Sequence, residues 1–392
     1  MSLYIANAIT DILEILVFLL GSYYLVIAFF SFFSFRKSPN SRYDFSFAVL
    51  IPAHNEEKVI AELIESIKSN DYPPEKVDIF VIADGCTDNT ARIAKMHGAE
   101  IILKDMPSTK GAAIEYALEL KNNFSSYDCI TVFDADNIAD KNYFREMSEK
   151  LSGGFDVVQG YVDSKNPYAS WVSNAHSLWY WITNRVFQKG RDELSIGCRL
   201  NGTGFAIRQS VLSTVPWKVK TLAEDAEYTC MLEEAGIRVA FAAKAAVYDE
   251  KPVTFAESVN QRTRWAHGMS SVQGEYSYRF IKSGRINAFL CLWSDVLSIF
   301  AFTVLLFSKA FGIGKIWQTT VGSVTVLVYI FSFVATAVIA LIKDKKMSKK
   351  IILNIFGFLI YLISWFPIGL FNLIGTQKLR WHHTEHTNYT DL

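Results

Sequence analysis

Ile130-Thr131-Val132-Phe133-Asp134-Ala135-Asp136 is a short apolar run that stops on two carboxylates one residue apart. Its length and polar boundary read as a buried strand ending in a polar turn. The same grammar repeats upstream. Residues 45–52 form another apolar run, and 56–69 place Val59, Ile60, Leu63, Ile64 and Ile67 at helical spacing. A strand follows over 77–83 and ends at Asp84-Gly85; a helix restarts over 88–96, with Asp88 or Thr87 as its cap. A third strand over 101–103 and a helix over 111–120 precede the run at 130–133. Strands alternating with helices at this spacing imply an α/β domain with a mainly parallel sheet. Ligands of such sheets bind at the carboxyl ends of the strands, where Asp84, Asp134 and Asp136 all fall.

The chain around this domain is apolar. Of 392 residues, 51% are hydrophobic and 14% aromatic, and the mean hydropathy is +0.17. Lys+Arg and Asp+Glu each number 39, a balance that argues against nucleic acid, which needs a concentrated basic surface. The five cysteines, an odd count without metal-ligand spacing, exclude a disulfide framework and a zinc site and fit a reducing compartment. A helix needs roughly 20 apolar residues to cross a bilayer. Segments 15–35, 316–342 and 351–377 carry no charge, and 286–308 carries only Asp295. Asp11 and Glu14 precede the first segment where a secretory signal would be positive. Arg36, Lys37 and Arg42 follow it, Arg279, Lys282 and Arg285 precede the second, and a lysine cluster over 343–350 follows the third, with the link 312–315 on the opposite side. Basic flanks mark the cytoplasmic side. The expected organisation is an N-terminal transmembrane helix over 1–42, a cytoplasmic α/β domain over 43–252 and interface helices over 253–285. Two transmembrane helices over 286–342, a basic loop with an apolar helix over 343–378 and a tail over 379–392 follow. Gly357, Pro367 and Gly369 leave the last helix open to two readings, a span or a broken helix lying in the interface. Asp295 is expensive in lipid, so it lines a path, pairs with a neighbour or sits shallow.

Several motifs carry chemistry. Two carboxylates at a strand end suit a hard divalent cation, Mg²⁺ or Mn²⁺, shared with substrate phosphates; Asp136 is the ligand candidate and Asp134 faces the nucleotide. The same pair is also ordinary turn chemistry. Asp84, within Asp84-Gly85-Cys86-Thr87-Asp88, can hold a base or ribose, or simply belong to a capping turn. Lys110-Gly111 at a helix start offers a cation and backbone N–H groups to a diphosphate, or is a surface lysine. Asp225 in Glu224-Asp225 is the candidate general base; an acidic first turn that complements the helix dipole is the alternative. In Gln261-Arg262-Thr263-Arg264-Trp265, arginine can clamp a diphosphate and tryptophan can stack on a sugar ring, or both can lie at headgroup level. His382, His383 and His386 read as an exposed polar tail, since no carboxylate-rich or Cys partner has ligand spacing.

The ordered set Ile51-Pro52-Ala53-His54-Asn55-Glu56-Glu57, Asp84-Gly85-Cys86-Thr87-Asp88, Lys110-Gly111, Asp134-Ala135-Asp136, Glu224-Asp225 and Gln261-x-x-Arg264-Trp265 resembles glycosyltransferase family 2 over about residues 46–270. Within it, the membrane layout is similar to the branch of cellulose, hyaluronan, chitin and poly-N-acetylglucosamine synthases and ceramide glucosyltransferases. The resemblance implies a GT-A fold inserted between transmembrane helices and a metal-dependent, inverting single displacement from a UDP-sugar. It implies donor binding by Asn55, Glu56, Asp84, Lys110, Asp134, Gln261, Arg264 and Trp265, with Asp84 on the uracil and Asp134 and Asp136 serving the diphosphate and metal. Asp225, beside Glu224, would deprotonate the acceptor, and Gly202, Thr203, Gly204 and Trp265 would hold it. The tail 381–386 resembles segments that close over UDP. Ala223 and Cys86 depart from the commoner Thr and Ser without removing a catalytic group. An integral plasma-membrane enzyme with a cytoplasmic catalytic domain follows, extending and exporting a β-linked polysaccharide. Transfer of one sugar to a membrane lipid is the alternative, and an inactive scaffold a distant third. The few spans leave a translocation channel to be completed by a second copy or an accessory subunit.

Overall fold

Strand β1 (Phe47–Ala53) is buried along its length apart from half-buried Pro52. Ala48 and Leu50 enter the core on one face of the sheet; Phe47, Val49, Ile51 and Ala53 enter the core on the other. β4 (Cys129–Val132) divides the same way, Ile130 and Val132 against Cys129. Continuous apolar runs of this kind suit central strands covered on both faces. The computed structural model that shows this describes residues 2–34, 45–120, 122–297, 301, 304 and 319–374.

The other strands are β2 (Val77–Asp84), β3 (Glu100–Lys104), β5 (Ile138–Ala139), β6 (Val157–Ser164), β7 (Phe205–Arg208) and β8 (Val239–Asp249). Their order in one sheet is β3-β2-β1-β4-β7-β6-β8-β5. The pairs β1–β2, β1–β4, β2–β3 and β6–β8 are parallel; β4–β7, β6–β7 and β5–β8 are antiparallel. The sheet is therefore mixed, where the sequence led us to expect mainly parallel. After β4 the chain crosses to β5 at the far edge, forms β6 two places from β4, then returns to insert β7 between β4 and β6, antiparallel to both. Strand direction leaves no mark on the residue pattern of a doubly buried strand.

Helices α1 (Ser2–Phe30), α2 (Ile60–Lys68), α3 (Thr90–Met96), α4 (Lys110–Leu120) and α5 (Tyr143–Ser152) precede α6 (Trp171–Ile182). A π-helical segment, Thr183–Lys189, leads into α7 (Gly190–Leu194). Then come α8 (Gln209–Thr214), α9 (Glu224–Glu234), α10 (Phe255–Lys282), α11 (Ile286–Leu292), α12 (Thr320–Lys343), α13 (Lys349–Leu353) and α14 (Ile355–Ile374). In α2 the buried residues Ile60, Leu63, Ile64 and Ile67 form one helical stripe against the sheet.

Among the described residues one helix, over Asn7–Phe30, is long and apolar enough to cross a membrane; Leu327–Lys343 and Ile355–Gly369 are shorter apolar helices. α1 starts well before residue 15, so Asp11 and Glu14 lie inside it, Glu14 fully buried. Its second half docks on the α/β domain. A Cβ at Gly190 would collide with the Ile27 carbonyl, and Arg191 Nη1 donates to the Tyr23 hydroxyl at 3.0 Å. The segment expected to span from 286 turns at Trp293. Within the last apolar segment the break falls at Asn354, between α13 and α14, and Pro367 lies inside α14. α14 packs on α6 and α10, with Gly357 seated against the Trp171 ring. The basic loop is held to the domain: Lys346 Nζ donates to Asp163 Oδ2 at 2.5 Å, and Asp344 pairs with Arg185. The basic flank 36–42, the link 312–315 and the tail 381–386 lie outside the described residues.

Leu63→Ala removes a fully buried side chain from the α2 stripe. We expect a loss of about 2–5 kcal/mol, typical of a core cavity, read as a lower midpoint in thermal unfolding of the detergent-purified chain, with unchanged activity per folded molecule.

Candidate active site

The ends of β1, β2 and β4 open onto a cavity of about 1080 Å³. His54, Glu56, Asp84, Lys110, Asp134, Asp136, Gly202, Thr203, Glu224, Asp225, Gln261, Arg264 and Trp265 all line it. Of the residues singled out in the sequence, Asn55 and Gly204 are absent from this wall. Asn55, with φ of 57°, turns the chain after β1, and its Oδ1 accepts from Thr87 N at 2.8 Å. That bond, together with Asp88 accepting from Glu57 N at 3.1 Å, sews the loop after β1 to the loop after β2. Gly204, with φ of 61°, immediately precedes β7, and a Cβ there would lie 2.5 Å from Val247 Cγ1. Both residues shape the wall from behind.

Asp84 Oδ2 accepts from Ser108 N at 2.8 Å and Ser108 Oγ at 3.0 Å, while Oδ1 pairs with Lys104 at 2.9 Å. Lys110 is the hub of the floor. Its Nζ pairs with Asp134, lies 3.6 Å from Glu224 Oε1 and donates to the Gly202 carbonyl at 2.9 Å. Burial alone would lower its pKa; Asp134 and Glu224 outweigh that and hold it above its ordinary value, so it stays charged. Gly111 lets the start of α4 approach α9, since a Cβ there would sit 2.6 Å from Val219 and 3.0 Å from Glu224 Cβ. Burial pushes the Glu224 carboxyl up, opposed by Lys110 and reinforced by the Asp225 charge. Burial also raises Asp225, opposed by the Ala226 N–H, 2.8 Å away, then by Lys110 and Arg199.

Asn137 is a central residue that the motif reading passed over. It is fully buried, and its Nδ2 donates to Asp136 Oδ1 at 3.2 Å and Asp249 Oδ1 at 3.0 Å. Its Oδ1 accepts from the Thr203 hydroxyl and from Asp134 N at 3.3 Å. One amide thus joins the Asp-Ala-Asp turn, the loop carrying Thr203 and the end of β8. The available signal was its place beside Asp136, which also fits a plain turn residue.

α10 has two working faces. Gln261, Arg264 and Trp265 face the cavity, and Gln261 Oε1 is buried without a hydrogen-bond partner among the described residues. Arg262, offset from them around the helix, is fully buried on the other side. Its Nη1 donates to the Tyr361 carbonyl at 3.1 Å and Ser364 Oγ at 2.8 Å, and its guanidinium stacks over the Tyr361 ring at 4.4 Å. Gly268, one turn on, lets α10 touch the backbone ahead of Glu224: a Cβ there would lie 2.8 Å from Ala223 N. The cavity continues past Trp265 to Trp179, Tyr180, Trp293, Asp295 and Trp365.

Among the described residues no group of three His, Cys, Asp or Glu side chains is arranged to hold a metal alone. Asp134 and Asp136 instead offer two hard oxygen sites beside an open space, which fits an ion that completes its shell with phosphate and water.

Residues 44–268 match the glycosyltransferase-like family 2. The chain belongs to that family. Its members transfer sugars, and the match spans the cavity motifs from Asn55 to Trp265. The chain is 27% identical over 371 residues to the probable glycosyltransferase YdaM of Bacillus subtilis, covering 87% of both chains. It is 23% identical over 297 residues to the poly-β-1,6-N-acetyl-D-glucosamine synthase of Staphylococcus aureus, covering 74% of this chain and 71% of that one. Among solved structures it is similar to a mannosyltransferase from Pyrobaculum calidifontis in complex with GDP-Man and Mn²⁺. The TM-score is 0.59 at 15% identity, over 95% of this chain and 100% of that one. That likeness establishes a GT-A-like α/β fold.

Replacing Asn137 by Leu removes the hydrogen bonds that its amide makes to Asp136, Asp249, Thr203 and Asp134 N. We expect a cost of about 3 kcal/mol or more, visible as a lower unfolding temperature. With Asp225 as the candidate base, its carboxyl and that of Glu224 held above the usual range, activity should be absent at low pH and rise with pH. The midpoint should lie above the roughly 4 of a free carboxylate. Lys110→Met removes a cation that lowers both, so the pH profile of kcat should move to higher pH.

Proposed function

We propose that the chain is an inverting glycosyltransferase that uses a UDP-sugar to extend a β-linked polysaccharide and passes the product across the membrane in which it is anchored. The observation that carries this reading is the continuity of one cavity. It runs from Asp84, Lys110, Asp134 and Asp136, past Glu224 and Asp225, to Trp293, Asp295, Trp365 and Phe366 in the apolar segments. Donor chemistry occupies one end, and the other leads towards the segments assigned to the bilayer. The similarity to a polysaccharide synthase supports the polymer product.

In this reading Asp84, on the wall at the end of β2, contacts the uracil, and Glu56 lies beside the same end of the site. Asp134 and Asp136 would hold Mg²⁺ or Mn²⁺, which would supply positive charge to screen the diphosphate. Lys110 and Arg264 meet the charge that grows on the leaving diphosphate as the anomeric C–O bond breaks. The acceptor hydroxyl gives its proton to a carboxylate oxygen of Asp225 while its oxygen attacks the anomeric carbon from the opposite face, so the configuration inverts. Gly202, with φ of 78°, brings backbone to within van der Waals reach of Asp225 and Lys110, leaving space for that acceptor. Trp265 and Gln261 hold the acceptor ring, by stacking and by hydrogen bonding from the amide. α1 anchors the chain in the plasma membrane, with the α/β domain in the cytoplasm and a second copy or accessory subunit completing the export path.

The test is UDP release by the purified full chain with Mg²⁺ or Mn²⁺ across a panel of UDP-sugars, with GDP-mannose as a control donor and the product sized afterwards. One UDP-sugar should give metal-dependent release and high-mass product, and Asp225→Asn should lower the rate about 100-fold or more. Turnover of GDP-mannose alone would overturn the donor assignment. A small, solvent-extractable product formed only with added lipid would overturn the polymer in favour of a glycolipid.

A further inference from the structure

Arg199 lines the cavity, and none of the sequence motifs includes it. Its Nη1 donates to Asp295 Oδ2 at 3.2 Å, and its guanidinium lies 5.5 Å from the centroid of Phe187 in the π-helical segment. Gln188 of the same segment grips its backbone from both sides, Oε1 accepting from Arg199 N at 3.1 Å and Nε2 donating to Arg199 O at 2.7 Å. The next residue, Leu200, donates through its N–H to Thr229 Oγ1 at 3.0 Å, and Thr229 Oγ1 donates to the Asp225 carbonyl at 2.7 Å. The loop bearing Arg199 is thereby strapped to the turn of α9 bearing Asp225. Asp295 belongs to the segment that follows α11 and, with its neighbour Val296, forms part of the cavity wall.

We infer that Arg199 is a positioning residue for Asp225: clamped between Asp295 and the π-helical segment, it holds a fixed positive charge beside the base and ties the base to the docking of residues 293–297. The inference rests on Asp225 being the base. A buried carboxyl favours its neutral form, and a neutral carboxyl cannot accept a proton. Asp225 is faced by Glu224 on its own helix, Lys110 from α4, Tyr180 from α6 and Arg199, with Arg264 of α10 on the same cavity. Lys110 is divided between Asp134 and Glu224. Arg199 therefore supplies a cation held apart from the diphosphate end of the site. It is faced in turn by Asp295, Cys291 of α11 and Tyr180. Asp295 partly neutralises the charge it holds in place, so removing Arg199 and removing the Asp295 charge must act on Asp225 in opposite directions.

The experiment is the pH profile of kcat for the purified full chain and three variants. Arg199→Gln should move the acid limb up by about one unit, tenfold in rate on that limb. Asp295→Asn keeps an oxygen acceptor for Nη1 but removes the opposing charge, and should move the limb down. Arg199→Lys should return the limb towards the parent position. Loss of rate with unmoved limbs, or movement of Arg199→Gln and Asp295→Asn in the same direction, would overturn the inference. If Arg199→Gln does not accumulate folded, the downward shift of Asp295→Asn against Arg199→Lys decides alone. Asp225→Asn separates the two levels. Full activity in that variant sinks the base assignment itself, whereas an inactive Asp225→Asn with immobile limbs at 199 and 295 sinks only the role of Arg199.

Discussion

The site depends on how many negative charges can share one buried space. Asp134, Glu224 and Asp225 converge from the ends of β4 and α9, and carboxylates that close cannot all remain ionised without cations between them. Lys110 is the cation at the centre, made possible by Gly111 beside it, which brings the start of α4 against α9. Around that contact the rest is arranged: the loop with Gly202 gives its carbonyl to the lysine, and Asn137 fastens that loop to the Asp-Ala-Asp turn. In the proposed reading a donor diphosphate meets one lysine already shared among carboxylates, and a divalent ion would add the positive charge that the lysine cannot spare.

The half of the sheet that could be read from sequence is the half built by strand–helix alternation. β1 to β4, α2 and α4 reveal themselves because each strand is a compact apolar run and each helix a stripe, and the polar residues at the strand ends fall where such sheets bind ligands. β7 could not be read so, because the short apolar run before Arg208, buried on both faces, says nothing of its direction. Glu224-Asp225 and Gln261-x-x-Arg264-Trp265 were visible as chemistry and lie on the cavity wall. Asn55 and Gly204 carry a different message: the residues in a motif that set the backbone are indistinguishable in sequence from those that face a ligand. Asn137 escaped because it matters through Thr203 and Asp249, 66 and 112 residues away, and Arg199 because it matters through Asp295, 96 residues away, and through the fold that brings it to Asp225.

α10 shows how one helix can serve two environments. Neighbouring residues 261, 262, 264 and 265 diverge around its axis, so a single stretch supplies the cavity with Gln261, Arg264 and Trp265 and clasps α14 with Arg262. The clasp uses a buried guanidinium that meets a backbone carbonyl, a hydroxyl and aromatic faces, a combination suited to arginine's planar, multidentate head. The apolar helix α14 is thus attached to the same turns that present Gln261, Arg264 and Trp265 to the cavity.

Gly111, Gly202 and Gly268 bring main chain close to Glu224, to Asp225 and to Ala223 just before them. For protein engineering this divides the cavity into unequal territories. Around the acidic pair Lys110 and Arg199 are tied into ion pairs, and an added carbon at Gly111 or Gly268 would press a helix against its neighbour. Variation in what the enzyme accepts is open at the aromatic end, among Trp179, Tyr180, Trp293 and Trp365, where side chains rather than backbone form the boundary. A library aimed at new products belongs there.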